Sequence, residues 1–161
     1  MLTIKDLSKT YSNGVQALAG VSLDIAEGMF GLLGPNGAGK STLMRTLATL
    51  QDADTGTAFL NDIDILNEKE QLRQVLGYLP QEFGTYPRIS ATRMLDHFAV
   101  LKGIIDRGER RELVDHLLNE VNLLDARKTA VSTYSGGMKQ RFGIAQALIG
   151  DPQLVIVDEP T

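Results

Sequence analysis

Gly34-Pro35-Asn36-Gly37-Ala38-Gly39-Lys40-Ser41-Thr42 is preceded by an apolar run over residues 29–33 and followed by Leu43, Met44, Leu47 and Leu50 at helical spacing. Gly34, Gly39, Lys40 and Ser41 fit the spacing G-x-x-x-x-G-K-[ST]. Small residues in that pattern let backbone N–H groups close around an anion at the positive end of a helix. Gly37, Ala38, Gly39 and Thr42 present such donors, Lys40 puts a cation where β- and γ-phosphates lie, and Ser41 offers a hydroxyl to Mg²⁺. The alternative, an ordinary Gly-rich turn between a strand and a helix, gives no reason for lysine and two hydroxyls at these positions. The stretch therefore predicts nucleoside triphosphate binding, a buried strand over 29–33 and a helix with its apolar face on Leu43, Met44, Leu47 and Leu50.

Composition bounds the rest. A chain of 161 residues that is 43% apolar can bury one sizeable core, so a single domain over residues 1–161 is expected. Sixteen basic against 20 acidic side chains give net −4, and no Lys/Arg-rich stretch suggests nucleic acid as a partner. The absence of cysteine excludes disulfides and thiolate metal sites. The charged start Met1-Leu2-Thr3-Ile4-Lys5-Asp6 does not read as a secretory signal, and no apolar run approaches the roughly twenty residues of a membrane helix. A cytoplasmic location is expected, with any membrane contact made through another subunit.

Alternating apolar residues in Leu2 and Ile4, then Val21, Leu23 and Ile25, with Ser12-Asn13-Gly14 between, predict antiparallel strands joined by a turn. Thr55-Gly56 reads as a turn before a strand over 57–60, and a strand over 75–79 stops at Pro80. From Ser90 the period becomes helical. Leu95, Phe98 and Leu101 form one face; Leu113, Val114, Leu117, Leu118 and Val121 form another after a break at 103–108. This helical insert spans about 86–138. A last helix over 136–149, closed by Gly150 and Pro152, leads to a buried strand, Leu154–Val157. The fold class expected is α/β: a P-loop NTPase core with a mainly parallel sheet, an N-terminal antiparallel β region and a helical insert.

Two further sites carry chemistry. Asp158 and Glu159 emerge from the last apolar strand, where a carboxylate is costly unless it faces a cleft or a cation. Asp158 suits Mg²⁺, and Glu159 suits orienting or deprotonating a water. Tyr134-Ser135-Gly136-Gly137-Met138 opens the last helix, with Ser135 as N-cap and two glycines exposing N–H groups at its positive end. By itself that reads better as a plain capped helix.

The order of phosphate loop, Leu79-Pro80-Gln81, Ser135-Gly136-Gly137 and Asp158-Glu159-Pro160-Thr161 resembles the nucleotide-binding subunit of ATP-binding-cassette (ABC) transporters over the whole chain. The resemblance implies ATP and Mg²⁺ as ligands and hydrolysis between two subunits paired head to tail. Ser135, Gly136 and Gly137 would act across that pair on the partner's γ-phosphate. It implies that Gln81 touches Mg²⁺ or the lytic water and that Tyr11 stacks on adenine. Residues 82–89, with Phe83, Tyr86 and Pro87, would face a separate transmembrane permease, or else form satellite core. The protein would then lie on the inner face of the cell membrane. Tyr134 and Met138 depart from the commoner Leu and Gln of the signature.

Gly136-Gly137-Met138 and the short insert resemble exporters more than importers. The family's pattern continues past the Asp158 carboxylate with an aspartate loop, a further strand between 29–33 and Leu154–Val157, and a γ-phosphate histidine. The chain is thus expected to be incomplete and poor at turnover. His97 and His116 precede Asp158 and read as surface histidines, and 107–112 reads as a solvated helix start. Rival readings are a GTPase or small-molecule kinase, whose Asn-Lys-x-Asp and Asp-x-x-Gly elements do not occur. A DNA-repair or chromosome ATPase needs insertions for which 40–135 leaves no room. A binding module without turnover is the remaining alternative.

Overall fold

The computed structural model describes residues 1–80, 84 and 87–158, and the chain divides into two units, residues 1–73 and 74–161. The first is built on β1 (Leu2–Thr10) and β2 (Gln16–Ile25), antiparallel with Leu2 opposite Ile25 and Ile4 opposite Leu23. Their turn is closed by Tyr11 N donating to Val15 O (2.9 Å) and Gly14 N to Tyr11 O (2.8 Å). β3 (Thr55–Leu60) adds to the other edge of β1, and the short β4 (Ile63–Asp64) to β3, giving the order β2-β1-β3-β4. Alternation along these strands turns Leu2, Ile4, Leu7, Leu18, Ala58 and Leu60 into the interior. α1 (Lys40–Leu47) buries Leu43, Thr46 and Leu47 as its spacing requires.

Three expectations for this unit fail. Thr55 and Gly56 are not a turn but the start of β3. Gly56 has φ +98°, and a Cβ there would lie 2.6 Å from Leu7 Cα, at the point where the β1–β3 register shifts. The turn-like composition marks a bulge within the ladder. Residues 29–33 form no strand and are not buried: Met29 is 103% and Leu33 93% exposed. No described strand pairs with this run, and a parallel-type strand is buried by its neighbours, not by its own composition. Leu50 lies beyond the end of α1 and is exposed.

In the second unit α2 (Lys69–Val75), which begins in the first, runs into β5 (Leu76–Leu79). β5 pairs in parallel with β6 (Leu154–Val157), Leu76 opposite Leu154 and Leu79 opposite Val157. Only Ile156 of β6 is fully buried; Val155 and Val157 are 40% and 37% exposed, so the expected buried strand is a half-covered one. The core is helical: α3 (Ala91–Leu101), α4 (Arg107–Glu120) and α5 (Gly136–Ala147) bury Leu95, Ala99, Val114, Leu118, Phe142 and Ala145 together. Each helix starts on a side-chain cap. Ser90 accepts from Arg93 N (3.4 Å), Asp106 from Glu109 N (2.8 Å) and Ser135 from Met138 N (3.3 Å). The start of α4 is solvated as expected, except that Arg110 donates to Asp96 Oδ1 (2.7 Å) and to the carbonyl of Ile105 (2.6 Å).

Candidate functional site

α1 begins at Lys40 with Gly39 as its N-cap in the left-handed conformation, φ 85° and ψ 4°. Leu43 N to Gly39 O (2.9 Å) closes the first turn, so the N–H groups of Lys40, Ser41 and Thr42 precede the helical ladder. The loop before them turns on Ala38 N to Pro35 O (3.2 Å), with Gly37 also at positive φ, 84°. Gly39 has no alternative at its position, because a Cβ would sit 2.2 Å from the carbonyl oxygen of Ala17. The Lys40 ammonium folds back over the loop and donates to Gly34 O (2.7 Å) and Pro35 O (2.9 Å). No acidic residue stands in the first turn of α1. An exposed loop, the positive end of a helix and a cation held within it are features that suit a polyphosphate.

Tyr11 comes to this helix from the end of β1. Tyr11 is 38% exposed, and its hydroxyl lies 3.1 Å from Thr42 Oγ1 and 3.3 Å from Gln51 Oε1. Gln51 and the buried Thr46 carried no signal in the sequence: separations of 31 and 40 residues from Tyr11 to its partners leave no local pattern.

In the other unit, Ser135 caps α5, and Cβ atoms added at Gly136 and Gly137 would meet nothing within 4 Å. Nothing packed among the described residues requires glycine there, and the helix start is open around it. Tyr134 is core: its ring meets Phe142 edge-on at 6.4 Å and its hydroxyl donates to Ala126 O (2.8 Å). Burial pushes its phenol above the ordinary value of 10.0. The departure from Leu in the signature thus fills the helical core and leaves the cap and both glycines untouched.

Asp158 follows β6, extends its ladder through Asp158 N to Leu79 O (3.0 Å), and is buried. Among the described residues no group of three or more His, Cys, Asp or Glu gathers as a metal cluster. Mg²⁺ bound with nucleotide needs only one or two protein oxygens; the Ser41 hydroxyl, beside Lys40 in the first unit, and the Asp158 carboxylate, in the second, are each hard oxygen donors of the kind it takes. Gln81 and Glu159 lie outside the described residues, as do Phe83 and Tyr86. His97 and His116 are exposed on α3 and α4.

The ABC transporter family pattern matches residues 18–161. The chain belongs to this family. Among its ABC relatives, the linearmycin resistance ATP-binding protein LnrL of Bacillus subtilis (strain 168) is 36% identical over 162 residues, covering 100% of this chain and 51% of that protein. The phosphonates import ATP-binding protein PhnC 2 of Synechococcus sp. (strain JA-2-3B'a(2-13)) is 38% identical over 175 residues, covering 100% of this chain and 64% of that protein. The chain spans about half the length of curated relatives such as LnrL. Among solved structures, the dimeric post-hydrolysis state of the ATP-binding cassette MJ0796 bound to ADP and Pi superposes with a TM-score of 0.87 at 29% identity, over 100% of this chain and 75% of that one. The α/β ABC cassette fold, with its antiparallel N-terminal sheet and a parallel pair, is the fold of this chain.

Proposed function

We propose that this chain is the ATP-binding part of the ATPase subunit of an ABC transporter. The observation that carries the reading is the Lys40 ammonium, held over Gly34 and Pro35 at the start of α1. Residues 34–42 take the triphosphate: Gly34, Pro35 and Asn36 shape the loop, Gly37, Ala38 and Gly39 bring backbone donors, and Lys40 neutralises β/γ charge. Thr42 adds its N–H. Ser41 and Asp158 are the oxygen donors for Mg²⁺, with Gln81. When bound, the ion would supply positive charge that offsets the charge developed on the phosphates in transfer.

Glu159 orients or deprotonates the attacking water, and Ser135, Gly136 and Gly137 complete the site of a second, head-to-tail subunit. The dimeric relative holding ADP and Pi supports this reading. A separate permease carries the substrate, and the ATPase docks on its cytoplasmic face; among the described residues no helix is long and apolar enough to cross a membrane. Gly136-Gly137-Met138 and the resistance relative LnrL favour export over the import role for which PhnC 2 is named.

The test is hydrolysis by the longer protein with its permease. Glu159→Gln keeps the shape but cannot accept a proton, so turnover falls by about 10²-fold or more while ATP still binds. Unchanged turnover removes Glu159 from the mechanism.

A further inference from the structure

We infer that Gln51 is a positioning residue for the nucleotide base, acting through Tyr11; this rests on the ATP-binding reading above. The donors and acceptors around Gln51 close on one another. Its amide nitrogen donates to Thr42 O (3.0 Å) and to Thr46 Oγ1 (3.1 Å), which uses both N–H bonds. Thr46 Oγ1 in turn donates to Thr42 O (2.8 Å). The amide oxygen is thereby aimed the other way and accepts the Tyr11 hydroxyl at 3.3 Å.

A phenol has one proton, so with that proton on Gln51 the 3.1 Å contact to Thr42 is made by the Thr42 hydroxyl donating to Tyr11. The Thr42 hydroxyl is committed to the tyrosine, and its N–H is left to serve phosphate.

The consequence is geometric. Tyr11 stands at the end of β1, and its ring is exposed enough to offer a flat apolar face. Two hydrogen bonds at its tip hold that ring, one to Thr42, two positions after Lys40 in the first turn of α1, and one to Gln51. A ring so fixed next to a triphosphate loop can stack on a planar base without first losing rotational freedom, which is how preorganisation raises affinity. Gln51 supplies one tether and sets the direction of the other.

Calorimetry of the chain with MgATP and with inorganic tripolyphosphate tests this, using wild type, Gln51→Leu, Tyr11→Phe and the double variant. Tyr11→Phe keeps the ring and removes only the tether, so it reports even if Gln51→Leu fails to fold. Each single variant is expected to weaken MgATP about threefold to tenfold, the scale of a lost neutral hydrogen bond, and to leave tripolyphosphate affinity unchanged. The double variant is expected to lose no more than the worse single one, because both break the same tether. Equal losses for ATP and tripolyphosphate, no loss for ATP, or additive losses would overturn the inference. Wild type binding neither ligand would overturn the ATP-binding reading itself, and this inference with it.

Discussion

The Lys40 ammonium lies 2.7 Å from the carbonyl oxygen of Gly34, six residues before it, so the loop supplies its own acceptor for its cation. A phosphate oxygen is a stronger partner than a neutral carbonyl, because it brings a negative charge to meet the ammonium's positive one. The lysine is therefore held close to where it is needed and can exchange acceptors without a large rearrangement.

The glycines of that loop are not equivalent. Gly37 and Gly39 both have positive φ, 84° and 85°, but a Cβ at Gly37 meets open space while one at Gly39 meets Ala17 O at 2.2 Å. Gly37→Ala is expected to cost about 1 kcal/mol from left-handed strain. Gly39→Ala is expected to cost about 3 kcal/mol or more, because β2 or α1 must shift as well. Urea unfolding of the two variants checks this; equal losses would show that strain alone governs both positions.

Gly136 and Gly137 behave oppositely, since both sit in the first turn of α5 with helical φ and nothing to clash with. Alanine at either position is expected to raise stability by up to about 1 kcal/mol. On the proposed head-to-tail pairing, the same changes are expected to abolish ATP-driven pairing, because they would crowd the N–H groups offered to a partner's nucleotide. Thermal melts and sizing with MgATP separate the two effects; a loss of stability would mean the glycines serve packing.

Tyr134→Phe removes a hydroxyl that donates to Ala126 O, which also accepts from Thr129 N (2.9 Å), and keeps the edge-on contact with Phe142. A loss of about 1 kcal/mol in chemical denaturation is expected. No loss would mean that the Thr129 N–H alone satisfies that carbonyl.

Acid should loosen the N-terminal sheet first. Asp54 is held below 3.8 by the hydrogen bond from Lys9 Nζ (2.8 Å) and then by Thr10 N (2.6 Å). The Asp52 carboxyl is lowered by Lys69, and that of Asp64 by the Asn67 amide. Carboxyls lowered in the fold contribute stability above the unfolded value that is lost as pH falls through the folded one, so the decline begins near pH 4 and continues below it. Unfolding followed from pH 6 to 2 is expected to show this, and Asp54→Asn to shallow the slope. An unchanged slope would remove Asp54 from the acid response.

What the sequence revealed was local. The phosphate-loop spacing, the cap Ser135 and the face of α4 rest on residues within a turn or two of one another, so spacing alone reports them; on α3 Leu95 is buried as expected but Leu101 is 64% exposed. The failures were all matters of neighbours. Residues 29–33 have a strand's composition but no described ladder partner, and Gly56 looks like a turn but is a bulge set by Leu7 of another strand. The tie between Tyr11, Thr42 and Gln51 exists only once β1 and α1 are folded together. Short α2 and β4 lacked enough residues to show a period.

The central claim, that residues 34–42 bind the phosphates of ATP through Lys40, is tested most directly by titrating MgATP into wild type and Lys40→Ala in the calorimeter. Wild type is expected to bind, and the variant to show no measurable heat, since removing the ammonium leaves the β/γ charge uncompensated at the start of α1. Equal affinity in the two proteins would contradict the account.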